Sequence, residues 1–295
     1  MYFCIVIKYS MNDNPTSKWL KGVAYEVAFW NNVYRWDKTF NGMIGWSHYG
    51  DIIALEEFDA NTFLQQEESP LVLDVGCGMS YATGNYIGDT KKKKPLDIHY
   101  IDPLASYFNI ILQRYKRDMP PIEFGSMEHL SYFYNKKNVS LIIIQNALDH
   151  SSQPEKGVLE ALRSLKIGGI LYLNHHPNEA VVEHYKGFHQ YNIDIKNGEM
   201  VIWNNNQHIS INNLVSDCAD IEVKRHNNGH VIAIIRKKQE LPDQHCIKED
   251  DIRQLSKNIN KMNKLSYWKY NTIQFFVQAL SWETKMRLKK MIKQA

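Results

Sequence analysis

The sequence predicts an α/β fold around a mostly parallel sheet, and three observations lead there. From residue 71 onward, strand-like and helix-like runs alternate at short intervals, the pattern of βαβ units. The strand-like runs are apolar throughout instead of alternating with polar residues, as parallel strands buried on both faces require. The first of them leads straight into two closely spaced glycines. At 295 residues the chain is long enough for one large domain with a real core, or one domain with a substantial extension.

The chain begins with a region to about residue 65 in which Trp19, Val23, Val27, Trp30 and Tyr34 recur at helical steps, followed by an aromatic and glycine-rich stretch over residues 36–49. The helical aromatics are expected to pack on the sheet edge; for Trp36, Trp46, His48 and Tyr49 the residues alone leave packing and a lid both open. Predicted strands cover residues 71–75, 98–101, 122–124, 141–145 and 169–174. The clearest helix spans 154–166: Pro154 suits its first turn, Val158, Ala161, Leu162 and Leu165 share a face, and Gly168 supplies a left-handed stop. Beyond residue 191, Lys196-Asn197-Gly198 predicts a hairpin, and Asn227-Asn228-Gly229 joins a strand pair over 221–226 and 230–236. Residues 239–295 turn polar and then helical. There Ile273, Phe276, Val277, Leu280, Leu288 and Met291 form a stripe expected to pack on the chain's own domain.

A content of 44% hydrophobic and 23% charged residues excludes a disordered tail, a collagen and a disulfide scaffold. The net charge of +3 is too small by itself to argue for a nucleic-acid or membrane partner, but it is unevenly spread. From Lys261 to Ala295 eight Lys and Arg residues face the single acid Glu283, a net +7, which leaves −4 on the first 260 residues. Cys4, Cys77, Cys218 and Cys246 show no paired spacing, so reduced thiols and no structural zinc site are expected. The apolar start over residues 3–7 is too short for a signal peptide or a membrane span, and a cytoplasmic address is expected.

The sharpest motif is the strand and turn of residues 71–80, containing Asp74, Gly76, Cys77 and Gly78. The glycines permit a tight turn and close approach of a ligand to the backbone, and the helix that follows offers free N–H groups. A dinucleotide fold wants a third glycine, but Tyr81 stands at that position. Asp74 would repel a pyrophosphate, whereas it suits the amino and sulfonium groups of S-adenosylmethionine. On these residues the chain resembles the class I S-adenosylmethionine-dependent methyltransferases.

Further pieces of that resemblance follow in order along residues 66–176. Asp102-Pro103 ends the second strand, 26 residues after Gly76, where the family's acid accepts the ribose hydroxyls; the run Lys91 to Lys94 lengthens the interval and reads as a solvated loop. Residues 124–130 resemble the segment that contacts adenine, with Ser126 and Met127 at the contacting positions and Ser126 replacing the usual acid. Asn146 and Ala147 follow the fourth strand, whose end faces the sulfonium. The resemblance thus implies a Rossmann-like three-layer α/β sandwich with a seven-stranded, mostly parallel sheet and an antiparallel last strand. Helical extensions flank it, and S-adenosylmethionine is its cofactor. The expected division is a helical cap over 1–65, a cofactor domain over 66–238 with a substrate-covering insert near 177–215, and a basic helical extension over 239–295.

Methyl transfer to a hydroxyl needs a base, and histidine is the usual side chain for it. His150 follows the fourth strand, and His175 and His176 follow the fifth, where open α/β sheets gather ligands. His150 ranks first because its loop borders the methyl group in the family. Asp149 can orient a histidine or cap the next helix. His184 and His189 lack metal-ligand spacing, and no metal is expected. After the fourth strand, Asn146-Ala147-Leu148-Asp149 departs from the Asn-Pro-Pro-Tyr of enzymes that methylate base or glutamine amino groups. Weakly, the segment resembles small-molecule methyltransferases of polysaccharide and natural-product pathways.

The leading expectation is methylation of a hydroxyl on a small molecule, a sugar or sugar nucleotide among them, with a histidine base. The alternatives are N-methylation of a small molecule, or a non-catalytic module binding a partner, RNA or a membrane surface through the basic tail. No nucleic-acid partner is expected for the mildly acidic body, and membrane contact through the last helix is the less favoured expectation.

Overall fold

The computed structural model describes residues 15–36, 47–134, 138–185, 187–241, 247–281, 283–285 and 287. Its strands, in chain order, are β1 (Leu71–Val75), β2 (Tyr86–Gly88), β3 (Lys93–Pro95), β4 (Asp97–Asp102), β5 (Glu123–Phe124), β6 (Val139–Gln145), β7 (Leu165–His175), β8 (Asn192–Lys196), β9 (Glu199–Trp203), β10 (His208–Ser210), β11 (Ala219–Arg225) and β12 (Val231–Lys237). The α-helices are α1 (Pro15–Arg35), α2 (Ala60–Gln65), α3 (Ala105–Arg114), α4 (Leu130–Tyr134), α5 (Pro154–Ser164), α6 (Glu179–Val182), α7 (Ile211–Val215), α8 (Glu249–Ile259) and α9 (Lys264–Ala279).

Seven strands form one sheet in the order β11-β12-β7-β6-β1-β4-β5. All pairs are parallel except those of β12, which runs antiparallel to both β7 and β11. Because β1 pairs with β4 on one side and β6 on the other, the connections diverge there and open a crevice beyond the strands' carboxyl ends. The apolar runs have the predicted cause. Leu141, Ile142, Ile143 and Ile144 are all fully buried, with Ile142 and Ile144 facing Val158 and Leu162 of α5, and Leu141 and Ile143 facing Ile53 and Leu64 on the other side. A third apolar cluster joins α1 and α3 through Trp30, Tyr100 and Phe108.

Several local signals resolve differently from expectation. The helix that begins at Pro154 stops at Ser164, and Leu165 is already extended. Gly168 does adopt a positive φ of 83°, but inside β7, beside the irregular register between Val139 and Leu141 of β6, so it serves a bulge and not a helix stop. The lysine run ends in the exposed β2-β3 hairpin. The turn between β8 and β9 is as predicted: Asn197 and Gly198, at φ 53° and 81°, both take the left-handed conformation that a two-residue hairpin needs.

The largest departure is α9. Ile273, Phe276 and Val277 face outward, while Gln274 and Gln278 are buried. The reason lies on α1, which offers this helix a polar face: Asn31 and Asn32 both donate side-chain hydrogen bonds to Asn271 Oδ1, at 2.9 and 2.8 Å. Leu288, Met291, Trp46, Cys4 and Cys246 lie outside the described residues.

Candidate active site

A cavity of about 460 Å³ opens at the carboxyl ends of β1, β4 and β6. Its floor begins with the turn after β1. Gly76 and Gly78 have positive φ values of 69° and 54°, and a Cβ at either would sit 2.5 Å from Ala147 Cβ or 2.9 Å from Trp30 Cζ2. Glycine is therefore required twice over, by conformation and by space. Gly76 N–H and Cys77 N–H donate to Ile101 O, which ties the turn to β4. The Cys77 thiol is buried, which pushes its pKa up and leaves it a packing group.

Asp102 ends β4 on the cavity wall. Its two oxygens accept backbone N–H groups, Oδ2 from Gly78 at 3.1 Å and Oδ1 from Leu104 at 2.8 Å. Burial raises its carboxyl to about 7 despite these bonds. Asp74, by contrast, does not line the cavity. It lies beneath the turn, accepts a hydrogen bond from Thr83 Oγ1 at 3.0 Å, and burial raises it to about 7. Its contribution is to the shape of the turn.

Pro103, Ser126, Met127, Asn146 and Ala147 also line the wall. Ser126 Oγ is 2.8 Å from His129 Nδ1. Next to it is a residue that the sequence reading passed over, Glu128. Its carboxylate reaches the cavity while accepting from Ser151 Oγ at 2.7 Å and from Ser152 N and Oγ at 2.9 and 3.0 Å. Burial alone would raise this carboxyl, and those hydrogen bonds hold it below its ordinary value. Asn146 takes a left-handed φ of 47° and accepts the backbone N–H of His176 through Oδ1 at 2.9 Å, locking together the ends of β6 and β7.

The aromatic wall comes from elsewhere than expected. Trp19 and Trp30 of α1 line the cavity, whereas Trp36, His48 and Tyr49 do not. Trp19 donates through Nε1 to His150 O at 2.9 Å and stacks on Phe188 at 5.0 Å between ring centroids. Gly22 makes this possible, since a Cβ there would lie 2.3 Å from Phe188 Cδ1. Glu26, another missed acid on the wall, accepts from Trp30 Nε1 at 3.0 Å.

Of the three candidate histidines, His150 and His176 line the cavity and His175 does not. His175 is 1% exposed, neither ring nitrogen has a hydrogen-bond partner, and burial lowers its pKa to about 4. It belongs to the interior of β7, so its predicted place among the catalytic residues is corrected. His176 meets His230 edge to face at 4.2 Å, and burial followed by that neighbour lowers its pKa.

His150 stands in a different setting. The fully enclosed Asp149 lies 2.8 Å from His189 Nδ1 and 3.6 Å from His150 Nε2, and the two ring nitrogens are 3.1 Å apart. Burial opposes the charge on Asp149, yet the two histidines take its carboxyl down to about 2. Burial likewise opposes a charge on His189, and the Asp149 hydrogen bond overcomes it, raising His189 to about 9. Asp149 therefore orients histidines, one of the two roles expected for it. The same three ligand atoms lie within 4.8 Å of one another, a set able to take a divalent cation. No H-x-x-x-H spacing announced it, because His189 arrives from the segment before β8.

Residues 73–173 match a family model described as a methyltransferase domain. Solved structures similar to this chain include a 16S rRNA methyltransferase from T. thermophilus, at 12% identity and TM-score 0.35 over 65% of this chain and 42% of that one. Others are an S-adenosylmethionine-dependent methyltransferase from Methanosarcina mazei, at 15% identity and TM-score 0.36 over 63% and 100% of the two chains, and an N-methyltransferase from Bradyrhizobium japonicum, at 12% and 0.36 over 60% and 82%. The chain thus spans less than half of the Thermus protein's length. No curated protein matches the sequence.

Proposed function

We propose that this chain, a class I S-adenosylmethionine-dependent methyltransferase, transfers the methyl group to a hydroxyl of a small molecule, a sugar or sugar nucleotide being the class favoured, with His150 as proton acceptor. The observation that carries this reading is the position of His150: it lines the same cavity as the Gly76-Cys77-Gly78 turn and Asp102, and the buried Asp149 stands behind it.

The wall fits the cofactor. Gly76 and Gly78 leave backbone bare where any Cβ would collide with the wall, and each Asp102 oxygen keeps a lone pair, beyond its backbone partner, for a ribose hydroxyl. Ser126 and Met127 would flank the adenine, and Asn146 and Ala147 the far end. Asp102, Glu26 and Glu128 on one wall favour a cation over a phosphate. When bound, S-adenosylmethionine supplies a methyl carbon already activated by its sulfonium.

The rest of the task falls to the chain's own side chains. They must hold an acceptor oxygen in line and remove its proton. His150 accepts that proton, and the Asp149 carboxylate, 3.6 Å from its Nε2 and shared with His189, holds the ring in place. Trp19 and Phe188, from α1 and the insert over 177–215, stack on each other along the cavity wall and exclude water on the acceptor side. A cavity of about 460 Å³ suits a small acceptor beside the cofactor. His176 is the second candidate for the base.

The test is isothermal titration with S-adenosylmethionine and S-adenosylhomocysteine, paired with turnover on hydroxyl acceptors. His150→Ala is expected to slow turnover by roughly 100-fold or more while cofactor affinity stays nearly unchanged. Failure of the wild-type protein to bind either compound would sink the proposal. A full-rate His150→Ala enzyme would remove the base assignment alone.

A further inference from the structure

We infer that α9 docks this protein on an anionic lipid surface. The helix is built inside out. Leu265, Trp268, Ile273, Phe276 and Val277 are 80%, 65%, 46%, 65% and 38% exposed, whereas Gln274 and Gln278 are each 4% exposed. At helical steps these residues share one side of the helix, which also carries the exposed Lys269 and Thr272. The opposite face is fixed to α1 by the Asn31 and Asn32 hydrogen bonds to Asn271 and by the edge contact of Tyr25 with Tyr270 at 5.5 Å. An exposed, largely apolar side of this kind marks a contact surface.

Charge chooses the occupant. No Asp or Glu occurs in α9, Lys264 and Lys269 stand exposed on it, and Lys257 and Lys261 are exposed just before it. Of the acids nearest in sequence, Glu283 stands alone beyond the end of α9, and Glu249, Asp250 and Asp251 occupy the first turn of α8. The three α8 acids are about 16 Å from that helix's far end, where the lysines gather. Lysine heads reaching anionic headgroups, with Trp and Phe at the boundary between headgroups and acyl chains, suit a lipid surface. A second copy of this chain would instead bring two tails of net +7 together. No helix among the described residues is long and apolar enough to cross a membrane, so the contact is peripheral. The inner side of α1 carries Trp19 and Trp30 of the cavity wall, so a docked α9 places the active site one helix away from the lipid.

The experiment is co-sedimentation of the full chain with phosphatidylglycerol-containing and pure phosphatidylcholine vesicles, at low and high salt. Binding is expected only to the anionic vesicles, weakening roughly tenfold or more in high salt. Trp268→Ser with Phe276→Ser should lower partitioning by at least roughly tenfold, with melting temperature and cofactor affinity unchanged because both side chains are exposed. Wild-type protein that ignores anionic vesicles overturns the inference. So does a dimer in sedimentation equilibrium that the double substitution abolishes, which assigns the face to a second copy, or retention on RNA without vesicle binding.

Discussion

Replacing Asp149 by Asn removes one charge from the His150 and His189 pair while nearly preserving shape. In the wild type, His189 rises from its ordinary 6.5 to about 9, which corresponds to about 3 kcal/mol of stabilisation as an upper figure. The lowered Asp149, at about 2, reports the same interaction from the other side and is not added to it. A raised histidine contributes fully below its unfolded value of 6.5 and loses the contribution as pH climbs through about 9. A lowered aspartate contributes above its unfolded value of 3.8 and loses it as pH falls through about 2. The full effect therefore lies between about pH 4 and 6.5. Urea denaturation of both proteins across pH 5 to 10 should show Asp149→Asn less stable by up to about 3 kcal/mol at pH 5 to 6, with the gap closing towards pH 10. NMR titration should find His189 protonating well below about 9 in the variant, since burial is then opposed only by the charges of Glu179 and Glu26. A stability gap that stays constant from pH 5.5 to 9.5 would refute the argument.

Other substitutions separate the remaining roles. Asp102→Ala should weaken S-adenosylmethionine binding by roughly tenfold or more in calorimetry, because a buried acceptor of hydrogen bonds is lost; equal losses for Asp102→Ala and His150→Ala would contradict the division of roles between them. Gly78→Ala combines a positive φ with a Cβ 2.9 Å from the Trp30 ring and should cost about 1–3 kcal/mol in denaturation as well as cofactor affinity. Gly198→Ala, with positive φ but nothing within 4 Å of its Cβ, should cost about 1 kcal/mol or less and leave binding alone.

What the sequence could announce was local. The Gly76-Cys77-Gly78 turn, the Asn197-Gly198 hairpin and the acid Asp102 at a strand end each carry their signal within a few residues, because backbone conformation there dictates residue type. The site's other half is assembled by tertiary contact. His189 meets Asp149 across 40 positions, and the only trace in the sequence is a histidine beside Phe188 in an insert with no periodic meaning. Trp19 and Trp30 gave a correct helix. The stacking of Trp19 on Phe188 depends on Gly22 admitting that ring, which becomes visible only when the two segments lie together. Glu128 was hidden by its neighbour, since a reading focused on Ser126 had no reason to expect that Ser151 and Ser152 would hold a carboxylate 23 and 24 positions away.

The direction of α9 shows the limit of periodicity most sharply. An apolar stripe on a helix states that one face differs from the other and leaves open which face turns inward. Burial of the stripe is the ordinary outcome, because apolar area removed from water stabilises by roughly 25 cal/mol per Å². Here polar complementarity decides: Asn31 and Asn32 of α1 supply hydrogen bonds to Asn271, and an apolar face turned against them would cost the Asn31 amide its partner, at about 1–3 kcal/mol, and leave Asn32 only its bond to Ala28 O. The clue was present in the pair Asn31-Asn32, set between Trp30 and Val33, where side chains of that type on an inner face call for a polar partner. Leu265, Trp268 and Phe276 consequently remain in water unless something covers them. A largely apolar face that carries lysine and no acid of its own helix resolves that cost when it meets an anionic lipid boundary.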